Sequence, residues 1–420
     1  MDTIVIEGGA ALRGVVPVSG AKNAALPVFA ATLLAPGRYL IENVPDLRDI
    51  RTIAALLVEL GAAARLAAPG VWEVDTSGAN HFEAPYDLVK TMRASCLVLG
   101  PLTARLGRAR VSLPGGCAIG ERPIDQHLKG LEALGASIAI EHGYVEAARS
   151  RRLTGARALM DLITVTGTMN VMMAATLAEG RTVIENAARE PEVAALADFL
   201  NAMGARVTGA GTPEIVIEGV DALRPANTRI IPDRIEAGTY MTAAAITGGE
   251  VTVEGIDPAL VANITGKLHE IGCVIKEGAH GVTVGAPEVI RSVNVNTAPY
   301  PGFPTDMQAQ IMALLAVGDG ASVITETIFE NRFMHVAELR RMGADIHVHG
   351  ATATVRGVAS LSGAPLMATD LRASASLVLA GLAAEGRTTI SRVYHLDRGY
   401  ERLEEKLRVL GARIQRDPGQ

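Results

Sequence analysis

One pattern recurs six times along this chain of 420 residues, and the repeat constrains the fold more than any other feature. Each copy contains a helix-like stretch that ends in Leu, Met or Ile followed by a glycine, and successive closing glycines lie about 70 residues apart. The closing glycines are Gly61, Gly135, Gly204, Gly272, Gly343 and Gly411. A period of this length predicts six similar supersecondary units.

An earlier glycine opens a strand-like segment in every copy, so the spacing within the copies can be compared. The earlier glycines are Gly37, Gly107, Gly180, Gly249, Gly320 and Gly386. Five copies separate the two glycines by 23 to 25 residues, whereas the second copy separates them by 28. The extra residues fall in a glycine-rich loop, 114–123, that holds Cys117 beside Arg122. Because the second copy differs from the other five in this loop, we expect the loop to have a functional role.

The stretch before each early glycine is apolar almost all round, as in residues 239–248. A helix without a polar face is buried on every side. These stretches are about half the length of a membrane span, so we expect central helices of globular domains. Alternating strands and a second, partly polar helix follow, as in residues 191–203. The sequence predicts a mixed α/β fold with two domains of three repeats each, in which sheets surround a centre of apolar helices.

The sixth repeat ends without its last strand, and the missing strand is predicted at the other end of the chain. Residues 4–8 repeat residues 215–219 letter for letter. We therefore predict one domain over 21–230, which carries the Cys117 loop, and a second over 1–20 plus 231–420. The two crossings near residues 20 and 230 form a double-stranded hinge, which favours opening and closing over a cleft.

Composition narrows the classes of partner. A net charge of −6 argues against general nucleic-acid binding. No apolar run approaches the roughly 20 residues of a membrane span, so no membrane association is expected. The three cysteines lack metal-ligand spacing, and Cys96 and Cys273 are interpreted as small buried apolar residues. We expect a cytoplasmic protein, and nothing in the sequence requires more than a monomer.

Polar residues stand at or just before the start of the central helices. They are Lys22, Asn23, Arg93, 164–168, Asp233, Arg234, Asp306, Asp370 and Arg372. If equivalent helices run in parallel, these residues gather at one end of each domain beside helix N-termini, which favour anions such as phosphates. Helix capping is the alternative for each Thr and Asp. Capping does not account for Lys22, Arg93 and Arg234, because a cation is unfavourable there unless it meets an anion.

Three side chains are candidates for chemistry. The loop amides and Arg122 can lower the pKa of the Cys117 thiol and make it an acid or a nucleophile. Asp306 is a candidate general base, and Asp125 is either a helix cap or a ligand for a hydroxyl. His347 and His349 alternate along a strand, which favours a solvated face over a metal site.

Several long motifs resemble those of one known family. They are Gly20–Ala24, Pro114–Gly120, Arg122–His127, Asn186–Glu192, Pro304–Gln310, Glu330–His335 and Asp397–Arg402. Together they closely resemble the UDP-N-acetylglucosamine 1-carboxyvinyltransferases, which belong to the enolpyruvyl transferases, and the resemblance covers essentially the whole chain. It implies a two-domain inside-out α/β barrel.

The resemblance implies a reaction. Enolpyruvyl passes from phosphoenolpyruvate to the 3-hydroxyl of UDP-N-acetylglucosamine by addition and elimination, phosphate is released, and neither a metal nor a redox cofactor is needed. This is the committed step of peptidoglycan synthesis. The rivals are transfer to shikimate 3-phosphate, for which the Cys117 loop is not expected, and a catalytically silent nucleotide-sugar-binding regulator, which would have lost acid–base residues.

The resemblance also implies roles for residues. Lys22, Arg122 and Arg398 would hold phosphoenolpyruvate, with Arg93 and Arg372 close by. Cys117 would add covalently to phosphoenolpyruvate and be the target of fosfomycin, whereas Asp306 would take the proton from the attacking hydroxyl. The nucleotide sugar would contact Asn23, Arg93, Arg122, Pro123, Ile124, Asp125, Gln126, Thr164, Val165, Thr166, Gly167, Asp306 and Ile328.

One position departs from the family pattern. Many relatives have a lysine where this chain has Leu162, in the stretch that contacts the nucleotide. A charge contact to the diphosphate is therefore missing or supplied elsewhere. We expect this difference to alter the affinity for the nucleotide rather than the reaction.

Overall fold

The computed structural model describes residues 2–90, 92–113 and 124–419. Within these ranges the strands form six separate four-stranded sheets, and none of them closes into a barrel. The predicted functional loop, 114–123, lies outside the described residues.

The strands are short, with at most six residues each. In chain order they are β1 (Thr3–Glu7), β2 (Arg13–Pro17), β3 (Arg38–Glu42), β4 (Ala63–Ala68), β5 (Val71–Asp75), β6 (Glu83–Ala84), β7 (Arg108–Ser112), β8 (Ser137–Glu141), β9 (Tyr144–Ala148), β10 (Arg157–Leu159), β11 (Arg181–Glu185), β12 (Arg206–Thr208), β13 (Glu214–Glu218), β14 (Thr228–Arg229), β15 (Glu250–Glu254), β16 (Val274–Gly278), β17 (Gly281–Gly285), β18 (Val295–Asn296), β19 (Ala321–Thr325), β20 (Asp345–His349), β21 (Thr352–Arg356), β22 (Pro365–Met367), β23 (Arg387–Ser391) and β24 (Arg413–Asp417).

The helices follow the repeat. They are α1 (Lys22–Ala31), α2 (Arg48–Glu59), α3 (Tyr86–Val89), α4 (Leu99–Leu106), α5 (Asp125–Ala133), α6 (Val165–Ala175), α7 (Pro191–Ala202), α8 (Arg234–Ile246), α9 (Pro258–Ile271), α10 (Gln308–Leu315), α11 (Val336–Arg341), α12 (Leu371–Ala383) and α13 (Leu403–Val409). Short 3₁₀ helices cover Thr32–Leu34, Arg93–Val98, Thr305–Met307 and Val393–Arg398.

The chain divides into two compact units. The first unit comprises the described residues between 20 and 231, and the second comprises 2–19 and 232–419. Each unit contains three of the six sheets and its own cluster of buried apolar side chains. The hinge near residues 20 and 230 stays a prediction.

All six sheets share one strand order. An edge strand runs parallel to its neighbour, and the other two pairings are antiparallel, as in β10-β11-β13-β12. In four sheets the two parallel strands are joined through a central helix, which is the connection that parallel pairing requires. The other two sheets exchange their edge strands. β2 precedes α1 in the chain but pairs with β15, whereas β14 precedes α8 but pairs with β3.

The N-terminal strand completes the sixth repeat, as the sequence predicts. In the sheet β22-β23-β1-β24, β1 occupies the place that β13 has in the third repeat. Ile6 lies opposite Thr388, just as Ile217 lies opposite Thr182. Both isoleucines are completely buried.

The apolar helices are central, as the sequence predicts. Every one of the 13 residues of α8 is buried, and so is every residue of α10. In the second unit α8, α10 and α12 pack against one another, and in the first unit α6 packs against α1 and α4. By contrast, α2 has a solvent-exposed face. None of the helices in the described ranges is long and apolar enough to cross a membrane.

The six closing glycines adopt the left-handed conformation. Their φ angles lie between 91° and 111°, a region that disfavours residues with a Cβ atom. This conformation ends each outer helix and turns the chain toward the next strand. The sixfold glycine pattern is therefore a backbone requirement of the repeat.

The place of β1 in the sixth repeat can be tested with a matched pair of substitutions. Ile6→Ala should lower the free energy of unfolding of the second unit by about 2 to 5 kcal/mol, because it leaves a cavity in the core. Ile217→Ala should do the same to the first unit. Urea unfolding followed by circular dichroism measures both changes, and an Ile6→Ala variant as stable as the wild type would contradict the role of β1.

Candidate functional site

Lys22 is the first residue of α1 and is buried to 9% exposure. Its Nζ donates to Oδ2 of Asp49 at 3.2 Å, and Asp49 in the first turn of α2 is only 3% exposed. A buried ammonium group needs such a partner, because burial without one is costly. Asn23, the next residue, is exposed. The contact with Asp49 therefore fixes the position of the Lys22 ammonium group, whereas Asn23 is accessible to solvent.

The start of α5 is fixed to the segment that precedes α6. Gln126 is buried, and its Nε2 donates to Oδ2 of Asp125 at 2.9 Å and to Oδ2 of Asp161 at 3.3 Å. The backbone N–H of Asp161 donates to Oε1 of Gln126 at 2.8 Å. Asp125 remains exposed, and so does Leu162, at 66%. The structure thus brings together two stretches that we predict to contact the nucleotide sugar.

A buried histidine network lies behind this region. Nδ2 of Asn170 donates to Nδ1 of His127 at 2.9 Å, and Nε2 of His127 lies 3.1 Å from Oγ1 of Thr166. Nδ1 therefore accepts, so the imidazole is neutral with its proton on Nε2. The pKa of His127 is lowered to about 4, chiefly by burial; the charge of Asp125 opposes this shift and the charge of Arg93 adds to it. Asn170 also accepts from the N–H of Gly100 at 2.6 Å, which ties α4, α5 and α6 together.

The remaining predicted residues of the first unit flank the same helix ends. Arg93 is partly buried at the start of a 3₁₀ helix, and Ile124 is buried just before α5. Thr164 caps α6, because its Oγ1 accepts from the N–H of Gly167 at 3.2 Å. Val165 and Thr166 are partly buried, whereas Gly167 is buried. Cys117, Arg122 and Pro123 lie outside the described residues.

In the second unit, Asp306 is held by two arginines. Its Oδ1 accepts from Nη2 of Arg332 at 2.8 Å, and its Oδ2 accepts from Nη2 of Arg372 at 3.0 Å. Both arginine side chains are only 4% exposed, whereas the Asp306 side chain is 27% exposed. The carboxylate is therefore the accessible member of a buried ionic cluster.

Arg372 is supported by an aromatic and hydroxyl network. Its Cζ lies 5.3 Å from the centre of the Tyr400 ring, and the Tyr400 hydroxyl lies 2.9 Å from Oγ1 of Thr239. Nε2 of Gln310 donates to the Tyr400 hydroxyl at 3.2 Å and to the backbone oxygen of Asp306 at 2.9 Å. Burial lowers the pKa of Arg372, but the Asp306 charge and its other neighbours raise it above the usual value overall. The guanidinium is permanently charged.

The capping alternative is correct for two acidic residues of this unit. Asp233 accepts from the N–H groups of Ile235 and Glu236, and Asp370 accepts from those of Arg372 and Ala373. Asp306 has no such role, since no side chain caps the Thr305–Met307 helix. Arg234, beside the Asp233 cap, has its Cζ 5.7 Å from the Tyr300 ring.

Arg398 and Ile328 lie at the ends of other segments of this unit. Arg398 is the last residue of a 3₁₀ helix and is partly buried. It contributes to the lowered pKa of His395, for which burial is the larger cause. Ile328 is partly buried in the loop after β19, and its backbone N–H donates to Glu326 at 2.8 Å.

Sequence reasoning missed four of these supporting residues, namely Asp49, Glu326, Arg332 and Tyr400. Arg332 and Tyr400 lie within the quoted motifs, which was the available signal. Asp49 and Glu326 carried no signal of their own, because a single acidic residue near a helix or strand end is usually solvated.

Comparisons with known proteins agree with one another. The family model for EPSP synthase (3-phosphoshikimate 1-carboxyvinyltransferase) matches residues 6–407. A curated relative from Desulfosudis oleivorans, named UDP-N-acetylglucosamine 1-carboxyvinyltransferase, is 61% identical over 416 residues and covers 99% of both chains. A relative from Myxococcus xanthus with the same name is 61% identical over 419 residues, which is 99% of this chain and 100% of the relative. The chain belongs to the enolpyruvyl transferase family.

Solved structures of enolpyruvyl transferases share the fold. The enolpyruvyl transferase NikO from Streptomyces tendae superposes with a TM-score of 0.89 at 29% identity, over 99% of this chain and 98% of that one. EPSP synthase from Acinetobacter baumannii reaches a TM-score of 0.75 at 19% identity over 100% of both chains, which supports the fold alone. The predicted fold class is confirmed. The roles of the individual site residues in this enolpyruvyl transferase stay predictions.

The buried histidines of this enolpyruvyl transferase predict a loss of stability in acid. Burial lowers the folded-state pKa of His127 and of His335 from 6.5 to about 4. The unfolded chain therefore binds more protons between these pH values, so this stability is present above about pH 6.5 and is lost as the pH falls toward 4. Urea unfolding midpoints at pH 7 and pH 5 measure the loss.

His127→Gln removes one of the two titrations, so its midpoint should fall less between pH 7 and pH 5 than that of the wild type. His347→Gln is the matched control, because that side chain is 69% exposed and should leave the wild-type difference intact. An equal fall in His127→Gln and the wild type would contradict the role of burial.

Proposed function

We propose that this chain transfers the enolpyruvyl group of phosphoenolpyruvate to the 3-hydroxyl of UDP-N-acetylglucosamine and releases phosphate, the committed step of peptidoglycan synthesis. The observation that carries the proposal is the 61% identity, over 99% of the chain, to curated relatives named for this reaction. The reaction serves cell-wall biogenesis and hence cell shape and division.

The reaction balances without a metal or a redox cofactor. The sugar hydroxyl oxygen adds to C2 of phosphoenolpyruvate while C3 takes up a proton, which gives a tetrahedral ketal. The ketal then loses phosphate from C2 and a proton from C3, so the double bond re-forms and the product is an enolpyruvyl ether. The protein must therefore supply one group that accepts the hydroxyl proton and another that exchanges a proton with C3.

We assign acceptance of the hydroxyl proton to Asp306. A carboxylate that receives hydrogen bonds from two guanidinium groups is held in its ionised form, which is the form a general base requires. The exposure of Asp306 leaves it open to a substrate, whereas Arg332 and Arg372 are buried behind it. The proposal gives Cys117 the role of a thiol that adds to phosphoenolpyruvate and reacts with fosfomycin.

The cationic residues would bind the two anionic groups of phosphoenolpyruvate. Lys22, Arg122 and Arg398 hold its phosphate and carboxylate in this proposal, with Arg93 and Arg372 close by. Guanidinium groups suit this task because they bind such groups with two parallel hydrogen bonds. The ion pair of Lys22 with Asp49 supports the assignment, since it holds the ammonium group at the start of α1.

The nucleotide sugar would lie against residues at the starts of α1, α5 and α6. Asn23 and Asp125 are exposed and offer polar groups, and Leu162 offers an apolar surface. Ile328 belongs to the same binding set in this proposal. We also propose a cytoplasmic monomer whose partners are these two small molecules, with no nucleic acid.

The choice of acceptor tests the proposed function directly. Purified protein should release phosphate from phosphoenolpyruvate when UDP-N-acetylglucosamine is added, because that sugar carries the attacking hydroxyl. Shikimate 3-phosphate should give no release above the background without acceptor. Release with shikimate 3-phosphate alone, or with neither acceptor, would refute the proposal.

The assignment of Asp306 predicts a large loss of turnover. Asp306→Asn should lower kcat by about 100-fold or more, because an amide cannot accept the proton. Asp257→Asn is the matched control, since Asp257 only caps α9 at an exposed position. Phosphate release measured below the unfolding temperature of both variants gives the comparison, and a wild-type kcat in Asp306→Asn would remove Asp306 from the mechanism.

A further inference from the structure

Glu326 follows directly after β19 and is only 3% exposed. Its two carboxylate oxygens accept four hydrogen bonds, three of them on Oε1 and one on Oε2. No lysine or arginine of the described ranges forms an ion pair with it. A buried carboxylate without a cation is costly, so the four hydrogen bonds are what keeps it in place.

We propose that Glu326 is a positioning residue for the reaction, because one carboxylate joins the segment of the general base to the loop of Ile328. The proposal deepens the proposed function and rests on it. Glu326 touches neither substrate in this proposal and acts only through its neighbours.

The Oε1 atom organises the loop that follows β19. It accepts from the backbone N–H groups of Ile328 at 2.8 Å and Phe329 at 3.3 Å. It also accepts from Oγ1 of Thr297 at 2.9 Å. The N–H of Thr327 in turn donates to Oγ1 of Thr297 at 2.9 Å. The loop conformation around Ile328 therefore depends on a single acceptor atom and its threonine partner.

The Oε2 atom holds the segment of Asp306. It accepts from Oγ1 of Thr305 at 2.9 Å, and Thr305 immediately precedes Asp306. From the other side, Nη2 of Arg332 contacts both the backbone oxygen of Thr305 at 3.4 Å and Oδ1 of Asp306 at 2.8 Å. Glu326 fixes the backbone and Arg332 fixes the carboxylate, so the position of Asp306 is set from two directions.

The carboxylate accepts from all four donors at once. A glutamine can keep its oxygen at the Oε1 position, where three donors meet, but this neutral oxygen is the weaker acceptor, and its N–H₂ group replaces the Oε2 atom that accepts from Thr305. The Thr305 hydroxyl must then rotate and accept instead of donating. Water cannot replace the lost acceptor easily, because the site is buried. The loop and the Asp306 segment should therefore both shift when the charge is removed.

The test compares Glu326→Gln with the wild type in phosphate release, with UDP-N-acetylglucosamine varied at saturating phosphoenolpyruvate. Loss of charged hydrogen bonds around the base should lower kcat by about 10- to 100-fold. The shift of the Ile328 loop should raise KM for the nucleotide sugar. Glu338→Gln is the matched control, since its carboxylate also accepts a backbone N–H, that of Met367 at 3.0 Å, and it should keep wild-type constants.

Variants of Thr305 separate the effect of the Oε2 contact on the Asp306 segment from the effect of the Oε1 contacts on the Ile328 loop. Thr305→Val removes only the Oε2 contact, so it should lower kcat and leave KM for the nucleotide sugar unchanged. Thr305→Ser, which keeps the hydroxyl, should recover most of the turnover. In the double variant with Glu326→Gln, the loss of kcat should be smaller than the product of the two single losses, because both changes weaken the same contact. A merely structural role would instead give additive losses that follow the unfolding temperature.

The outcomes distinguish a failure of the role proposed for Glu326 from a failure of the proposed function. An active wild type with unchanged kcat and KM in Glu326→Gln overturns the role of Glu326 and leaves the proposed function intact. A wild type that releases no phosphate with the nucleotide sugar overturns both. If Glu326→Gln does not fold, the contrast between Thr305→Val and Thr305→Ser decides, and equal kcat in these two variants overturns the proposal.

Discussion

The burial of helices that have no polar face is the constraint on which the rest of this structure depends. In α8 all 13 residues are buried, so no side of the helix can carry a charged group into solvent. Charged groups can then be accommodated only near the helix ends, as with Arg234 and Glu236 in the first turn of α8. The proposed site residues follow this rule, because Lys22 begins α1, Thr164 caps α6, and Asp306 lies in the short 3₁₀ helix that leads into α10.

Several buried charges at these ends are tolerated because they have a counter-charge. Lys22 has Asp49, and the two arginines share Asp306. Such pairs contribute little net stability, because desolvation offsets much of the attraction. Their value is geometric: the side chains are fixed before a substrate arrives, so binding does not have to order them.

The repeat made the fold predictable from sequence. Glycine spacing and the letter-for-letter match of residues 4–8 with 215–219 were enough to place β1 in the sixth repeat. The exchange of β2 and β14 was not predicted, since the partner of a short edge strand is set by tertiary contacts. Within the candidate site, the motifs indicated Asp306 and Arg372, but Asp49 and Glu326 act through contacts distant in sequence.

The pairing of β1 and β2 has a consequence for the order of synthesis. Both strands are synthesised before the first unit, yet β1 pairs with β23 and β24, and β2 pairs with β15. The described residues of the first unit, by contrast, all lie between residues 20 and 231. The nascent chain must therefore keep these two strands unpaired until the first unit has been synthesised. Their pairings join segments that are far apart in the sequence, and contacts of this kind form slowly.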